Sequence, residues 1–424
     1  MPGSMKKVFF YLLALLPMAA CHQAEMDGEI LMPPTQEVAE FLSAADAVQI
    51  ANDIAAQMDG VNSRTQGRIA RNGGVRVVGG RPSRSDETFM YVVEYDNEKG
   101  FALISSNPAS ETPVLAVIDD GTFDEAVNAG NPGFDSFLST TSNRIKKDSL
   151  SVGDGYFPPF EKQDESKFVH NRLYDERVSP RTANTLWGQI IALGSLCPNG
   201  SAGCVPVAIA MAMAYCEAPS AITYTCPDLG AGTETLNWRI IKVHKGSEDE
   251  VCDPICGNSG AHGTLAKLGR EIGYRANSIY KGNFVTSTPT VNILSTAKNL
   301  LGNRVSDWQN YEFRSICNTL DNGIALMNGD DIIEQAGHAW IADGYISYVI
   351  QTQHYTRRSD MAYIDPDDGW VLQSTHNQPY KYIHMNWGWD GKCNGYYIDN
   401  AFRTLDDDDN ITHDYIRVRY AGIK

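Results

Sequence analysis

The chain has 424 residues, 42% of them hydrophobic and 21% charged, with a formal net charge of −17. That length allows two or three domains with a sizeable core, and the composition excludes wholesale disorder. The acidic balance, with no Lys/Arg-rich stripe to offset it, excludes a nucleic-acid binder.

Lys6 and Lys7 precede an apolar run from Val8 to Leu16, which is too short to span a bilayer and has the form of an export signal. Next comes Pro17-Met18-Ala19-Ala20-Cys21. It resembles a bacterial lipobox, in which cleavage removes residues 1–20 and lipid is attached to the Cys21 thiol. An ordinary secretory signal cut after Ala20 is the alternative. Both readings take the protein out of the cytoplasm. The lipobox reading places it in the bacterial cell envelope, at the outer membrane or cell surface, held to the membrane through Cys21, with the mature domain open to release. No second stretch is apolar enough for a transmembrane helix.

Residues 21–36 read as a polar tether carrying Pro33 and Pro34. From Glu37 to about Met58, Val38, Phe41, Leu42, Ala45 and Val48 recur at helical spacing. Strand-like runs follow at residues 75–78, 89–93, 100–104 and 114–118, broken by Gly, Asn and Asp. Residues 37–145 therefore read as a small α+β unit. Residues 146–177 turn polar, with Gly153-Asp154-Gly155 and Pro158-Pro159, and read as a linker open to proteolysis. The remaining 178–424 are mainly helical to about residue 320, as over Thr264 to Ile272. Strands then dominate, at 323–328, 338–345, 380–387, 396–398 and 415–420. A helical half against a strand-rich half is an α+β architecture, with the cleft between halves as the natural site.

Nine cysteines stand at 21, 197, 204, 216, 226, 252, 256, 317 and 393. Setting aside Cys21 and one nucleophile leaves seven, so at least one further thiol stays unpaired. In an oxidising compartment Cys226, Cys252 and Cys256 could include a disulfide. Cys252-x3-Cys256 alone is too weak a pattern for a zinc site with His244 or His262. The acidic runs at 365–369 and 406–409 lack the ligand spacing of an EF-hand. No metal and no cofactor are expected.

Cys204 lies in Gly203-Cys204-Val205-Pro206, where a small-residue turn opens into an apolar helix, with Val205, Ala208, Ile209 and Ala212 on one face. Pro206 is tolerated there because it falls in the first turn. A thiol at a helix N-terminus feels the positive end of the macrodipole. His338, in Gly337-His338-Ala339-Trp340, follows at 338 − 204 = 134 residues, within the nucleophile-to-base spacing of papain-like enzymes. A thiolate–imidazolium pair attacks acyl carbons. Gly337 leaves room for a substrate backbone beside the imidazole.

Four stretches together resemble the streptopain family of bacterial cysteine peptidases, distant relatives of papain. They are Thr185-Leu186-Trp187-Gly188-Gln189 with Cys197-Pro198; Gly203-Cys204-Val205 with its helix to Pro219; Gly337 through Tyr345; and His384-Met385-Asn386-Trp387-Gly388-Trp389-Asp390-Gly391 with Gly395-Tyr396-Tyr397. Their order and spacing match across roughly residues 178–420. Phe101 to Ser106 and Thr112 to Ala116 are similar to the family's inhibitory propeptide. The resemblance implies a papain-like fold after a small α+β prodomain, with Cys204 as nucleophile and His338 as general base. Gln189, 204 − 189 = 15 residues before the nucleophile, is then expected to share an oxyanion hole with the backbone N–H of Cys204. Asn386, Trp387 and Trp389 are expected behind His338. Here the chain departs from the papain pattern Asn-x-Trp-Gly, because Trp387 directly follows Asn386, and which of the two orients the ring stays open. His384 is the reserve candidate for the base.

The expectation is a cysteine endopeptidase made as a latent zymogen, acting on protein or peptide substrates and inhibited by its own prodomain. The resemblance also implies autocatalytic maturation and a hydrophobic preference two residues before the scissile bond. Two rivals stand beside it: a Cys–His cell-wall endopeptidase, and a catalytically inactive surface binding protein on the same fold.

Overall fold

Apolar side chains at helical spacing make the first element. The computed structural model describes residues 43–58, 67–78, 90–107, 112–150, 164–182, 185–244, 260–331, 337–358, 369–399 and 415–424. The expected export signal, Cys21, the expected tether, Cys252, Cys256 and residues 406–409 lie outside them. Helix α1 (Ala44–Met58) buries Ala47, Ala51, Ile54, Ala55 and Met58, one stripe at i, i+4 and i+7. That stripe packs on an antiparallel meander of β1 (Ala70–Val78), β2 (Met90–Tyr95), β3 (Phe101–Ser105) and β4 (Val114–Ile118). Every residue of β2, β3 and β4 is buried. Helices α2 (Phe123–Asn128) and α3 (Pro132–Leu150) follow. A Thr122–Glu125 capping box opens α2 and satisfies its first free N–H groups.

The expected linker differs from what is found. Helix α3 runs to Leu150, and residues Asp164–Val178 form a strand, β5. Of residues 146–177, only 151–163 fall outside the described range. The polar composition misled because β5 takes its backbone partners from another strand, and edge strands carry charged side chains.

The helical part of the C-terminal region comprises α4 (Cys204–Cys216), β6 (Ala221–Thr223), β7 (Thr233–Thr235), α5 (Trp238–Ile241), α6 (Ala261–Arg275), β8 (Ile279–Tyr280), β9 (Thr286–Ser287) and α7 (Thr290–Leu301). Helix α4 is buried from Val205 to Ala214, on all sides rather than on the single expected face, as befits a helix apolar all round. The rest comprises β10 (Gln309–Asn310), α8 (Phe313–Leu320), β11 (Ile324–Asp331), β12 (Gly337–Arg358), β13 (Val371–Asn386), β14 (Gly395–Ile398) and β15 (Tyr415–Ile423).

Among the described residues one antiparallel sheet runs β1-β2-β3-β4-β14-β13-β12-β11-β15-β10, with β5 on the far part of β12. The N-terminal meander thus extends the C-terminal sheet. The seam is β4 on β14, pairing Ile118 with Gly395, Val117 with Tyr396 and Ala116 with Tyr397. This makes Phe41–Lys424 one compact unit. Alternation along β12 divides the core: Ala339 and Ile341 face α4 and α6, whereas Trp340 and Ala342 join the cluster on the opposite face with the N-terminal region.

Candidate active site

Cys204 is the first residue of α4. Gly203 before it has φ 87°, a left-handed value that favours glycine, and Thr286 packs against it. The free N–H groups of the first turn make the sulfur's surroundings electropositive. Burial nevertheless wins, raising the thiol above its ordinary range against backbone hydrogen bonds involving Ala339, Val205 and Cys204 itself. The turn before Cys204 is tied to the Trp187-Gly188-Gln189 loop, since Ala202 N–H donates to the Gln189 carbonyl at 2.7 Å. Gln189 is half-buried, and its side-chain amide has no hydrogen-bond partner among the described residues. Trp187 is fixed by an Nε1–H bond to the His244 carbonyl, 2.8 Å.

His338 lies on β12 beside Ala339, the residue whose backbone reaches Cys204. Its side chain, two residues from Trp340, points to the same face as that tryptophan. There it is boxed in by indoles: Trp340 stacks at 6.0 Å and 15°, while Trp387 at 5.8 Å and Trp389 at 6.0 Å are tilted. Nε2 lies 3.3 Å from the Trp387 carbonyl. A carbonyl only accepts, so Nε2 carries the proton. Burial lowers the imidazole to about 4 despite that bond, so it is neutral at physiological pH. Among the described residues no hydrogen bond joins Cys204 to His338. With thiol and imidazole both neutral, the two do not form an ion pair here, and Nδ1 is the unprotonated nitrogen of the ring.

Asn386 makes no hydrogen bond to the imidazole among the described residues. Its Nδ2 donates to Thr182 Oγ1 (3.1 Å), the Thr182 carbonyl (3.4 Å) and the Thr185 carbonyl (3.1 Å). Its Oδ1 accepts from Gly388 N–H at 3.2 Å. Asn386 thus pins the Trp387-Gly388 turn, and the Trp387 carbonyl and ring contact His338. Gly388, at φ 67°, lies against Val207 of α4. Gly337 opens β12 and is exposed. His384 is no base for Cys204: both its nitrogens are held by carboxylates, Asp343 at 2.6 Å and Asp119 at 3.0 Å.

The indole box is covered from the N-terminal region. Trp389 Nε1–H donates to the Ala129 carbonyl at 2.7 Å, and Gly133 at the start of α3 sits so close to the Trp387 ring that a methyl group there would overlap it. Sequence reasoning gave no role to Trp340, although its i, i+2 relation to His338 was a usable signal. It also missed Ala129 and Gly133, which carry no local signature. Cys226, considered for a disulfide, is a free thiol. His244 and His262 meet edge to face at 5.8 Å, and no group of three metal-binding side chains occurs among the described residues.

Two family models match the chain. Residues 187–397 match the Peptidase C10 family, and residues 39–145 match the Spi protease inhibitor. Among curated proteins, no match was found. The chain therefore carries a Peptidase C10, or streptopain, family domain and is a cysteine endopeptidase, preceded by an inhibitor-like prodomain.

Proposed function

We propose that the chain is the latent precursor of an exported cysteine endopeptidase, with Cys204 as nucleophile, His338 as general base and Gln189 as oxyanion donor. The observation that carries latency is the cover over the His338 box: the Ala129 carbonyl of the prodomain holds Trp389 Nε1–H, and Gly133 lies against the Trp387 ring. Latency protects the host cell from a thiol peptidase in its own envelope.

In the mature enzyme Nδ1 of the neutral imidazole takes the thiol proton. The thiolate adds to the scissile carbonyl carbon. Gln189 Nε2–H and Cys204 N–H stabilise the oxyanion. The imidazolium protonates the leaving amine as the C–N bond breaks, leaving a thioester. The same imidazole then removes a proton from water, whose attack releases the acid and restores the thiol. Substrates are proteins or peptides, with the hydrophobic preference two residues before the cut that the family resemblance implies. Cys21 carries the lipid anchor; labelled fatty acid should enter the wild type and not Cys21→Ala.

The decisive test compares the precursor and its Cys204→Ala variant on a gel over time in reducing buffer. Wild type alone should convert to a C-terminal fragment and then hydrolyse casein. A wild type that stays whole and inactive at mildly acidic and neutral pH overturns the zymogen reading.

A further inference from the structure

Behind the His338 box lies a second buried set of charges, which the peptide-cleaving chemistry does not use. His384, on β13, is 2% exposed. Its Nδ1 meets Asp343 Oδ1 at 2.6 Å and its Nε2 meets Asp119 Oδ2 at 3.0 Å. Asp343 is in the peptidase domain, whereas Asp119 follows β4 in the prodomain. The other oxygen of Asp343 accepts from Thr182 N–H at 2.7 Å and Thr182 Oγ1–H at 2.6 Å. The other oxygen of Asp119 faces Arg68 Nη2 at 3.4 Å, and Arg68 Nη1 donates to the Ile118 carbonyl at 3.1 Å.

The path continues to the active site. Thr182 accepts from Asn386, and Asn386 holds Gly388 N–H in the turn whose Trp387 carbonyl binds His338. One unbroken run of hydrogen bonds and backbone thus joins Arg68 and Asp119 of the prodomain to the candidate base. While the prodomain is docked, two cations and two carboxylates meet across the seam, with His384 shared between a carboxylate of each domain. A balanced, fully hydrogen-bonded set is the arrangement in which buried charge is tolerated.

We infer that His384 is a positioning residue through which the active-site turn registers the prodomain, its imidazolium clamped between Asp343 of the enzyme and Asp119 of the inhibitor. The inference rests on the zymogen reading and adds the residue that couples docking to latency. Its chemistry makes it proton-dependent. Burial alone would strip the proton; the Asp343 and Asp119 carboxylates more than offset this and raise His384 to about 10. Asp343 itself is held below its ordinary value, its burial outweighed by His384 and Thr182. Tyr396 lies edge-on to the ring at 5.0 Å, its hydroxyl pushed well up by burial, with Arg68 and Arg177 adding positive potential there. Because the folded value is raised, the clamp is complete below the ordinary imidazole range and is lost as pH rises through about 10.

Two measurements on the full precursor test this. In the Cys204→Ala precursor, ¹⁵N NMR of the His384 ring should show both nitrogens protonated at pH 8, and adding Asp119→Asn should lower the titration midpoint by about one unit. A wild-type midpoint near the ordinary imidazole value overturns the clamp, whatever the variant does. In the competent precursor, Asp119→Asn should mature about 10-fold faster at pH 8, Asp119→Glu should restore slow maturation, and kcat/KM of the released enzyme, which lacks Asp119, should be unchanged. Equal maturation rates in wild type and Asp119→Asn overturn the inference. A wild type that never matures sinks the zymogen reading instead, leaving the NMR midpoint to decide this one.

Discussion

His338 and His384 stand on neighbouring strands, each 2% exposed, and their surroundings drive them in opposite directions. One is enclosed by indoles with a single carbonyl for company and falls to about 4. The other is enclosed by two carboxylates and rises to about 10. Burial is common to both, so the neighbours decide the charge. A neutral ring in an apolar box has only one weak hold and can leave it. A charged ring between two anions is held at both nitrogens. The first suits a group that must take up and give back a proton, and the second suits one that must stay charged.

The largest effect that separates them is replacement by glutamine. His338→Gln should lower peptidase activity by about 10²–10⁴-fold while the precursor still folds. His384→Gln should cost the precursor about 3–5 kcal/mol in urea denaturation, because Asp119 and Asp343 are left buried without their cation. Equal losses of stability in the two variants would remove the distinction. Next is the pH profile of the Cys204→Ala precursor. His338 is depressed from 6.5 to about 4, so the unfolded chain binds more protons between these values and stability falls as pH drops through them, by about 3 kcal/mol at most. His384 acts at the other end, its contribution fading as pH rises toward about 10. Melting temperatures across this range should show both limbs, and His338→Gln should flatten only the acidic one. The smallest effect is Gly133→Ala. The added methyl meets the Trp387 ring and should destabilise the precursor by about 1–3 kcal/mol, with maturation several-fold faster in a gel time course. An unchanged rate would mean that the cover does not hold the box shut.

Local patterns made much of this visible beforehand. The turn into α4 follows from Gly203 and an apolar run, and the buried strands β2, β3 and β4 follow from short runs of Val, Ile and Phe. The family motifs drew Cys204, His338, Gln189 and Trp387 into one region. Long-range pairing was not legible. Nothing near Val117 announces Tyr396 as its partner, and β5 reads as a loop until β12 supplies its hydrogen bonds. Rotamers are hidden for the same reason: the face chosen by His338 depends on Trp387 and Trp389, about fifty residues on, and on the prodomain above them. Which of Asn386 and Trp387 orients the imidazole was open in the sequence; the Trp387 carbonyl meets Nε2, and Asn386 braces the turn through Thr182, Thr185 and Gly388.

The seam between β4 and β14 has a consequence for the lifetime of inhibition. Hydrolysis of the connecting chain separates two pieces covalently but leaves the Ile118–Gly395, Val117–Tyr396 and Ala116–Tyr397 pairings intact, together with the Phe137–Tyr397 ring contact. Activity then awaits dissociation, a first-order event, and the freed fragment can rebind at a rate set by its concentration. Dilution, or digestion of the fragment, becomes the true trigger. The exposed flank of β14 would meanwhile be an adhesive ribbon, open to any extended peptide that reaches it before the inhibitor returns.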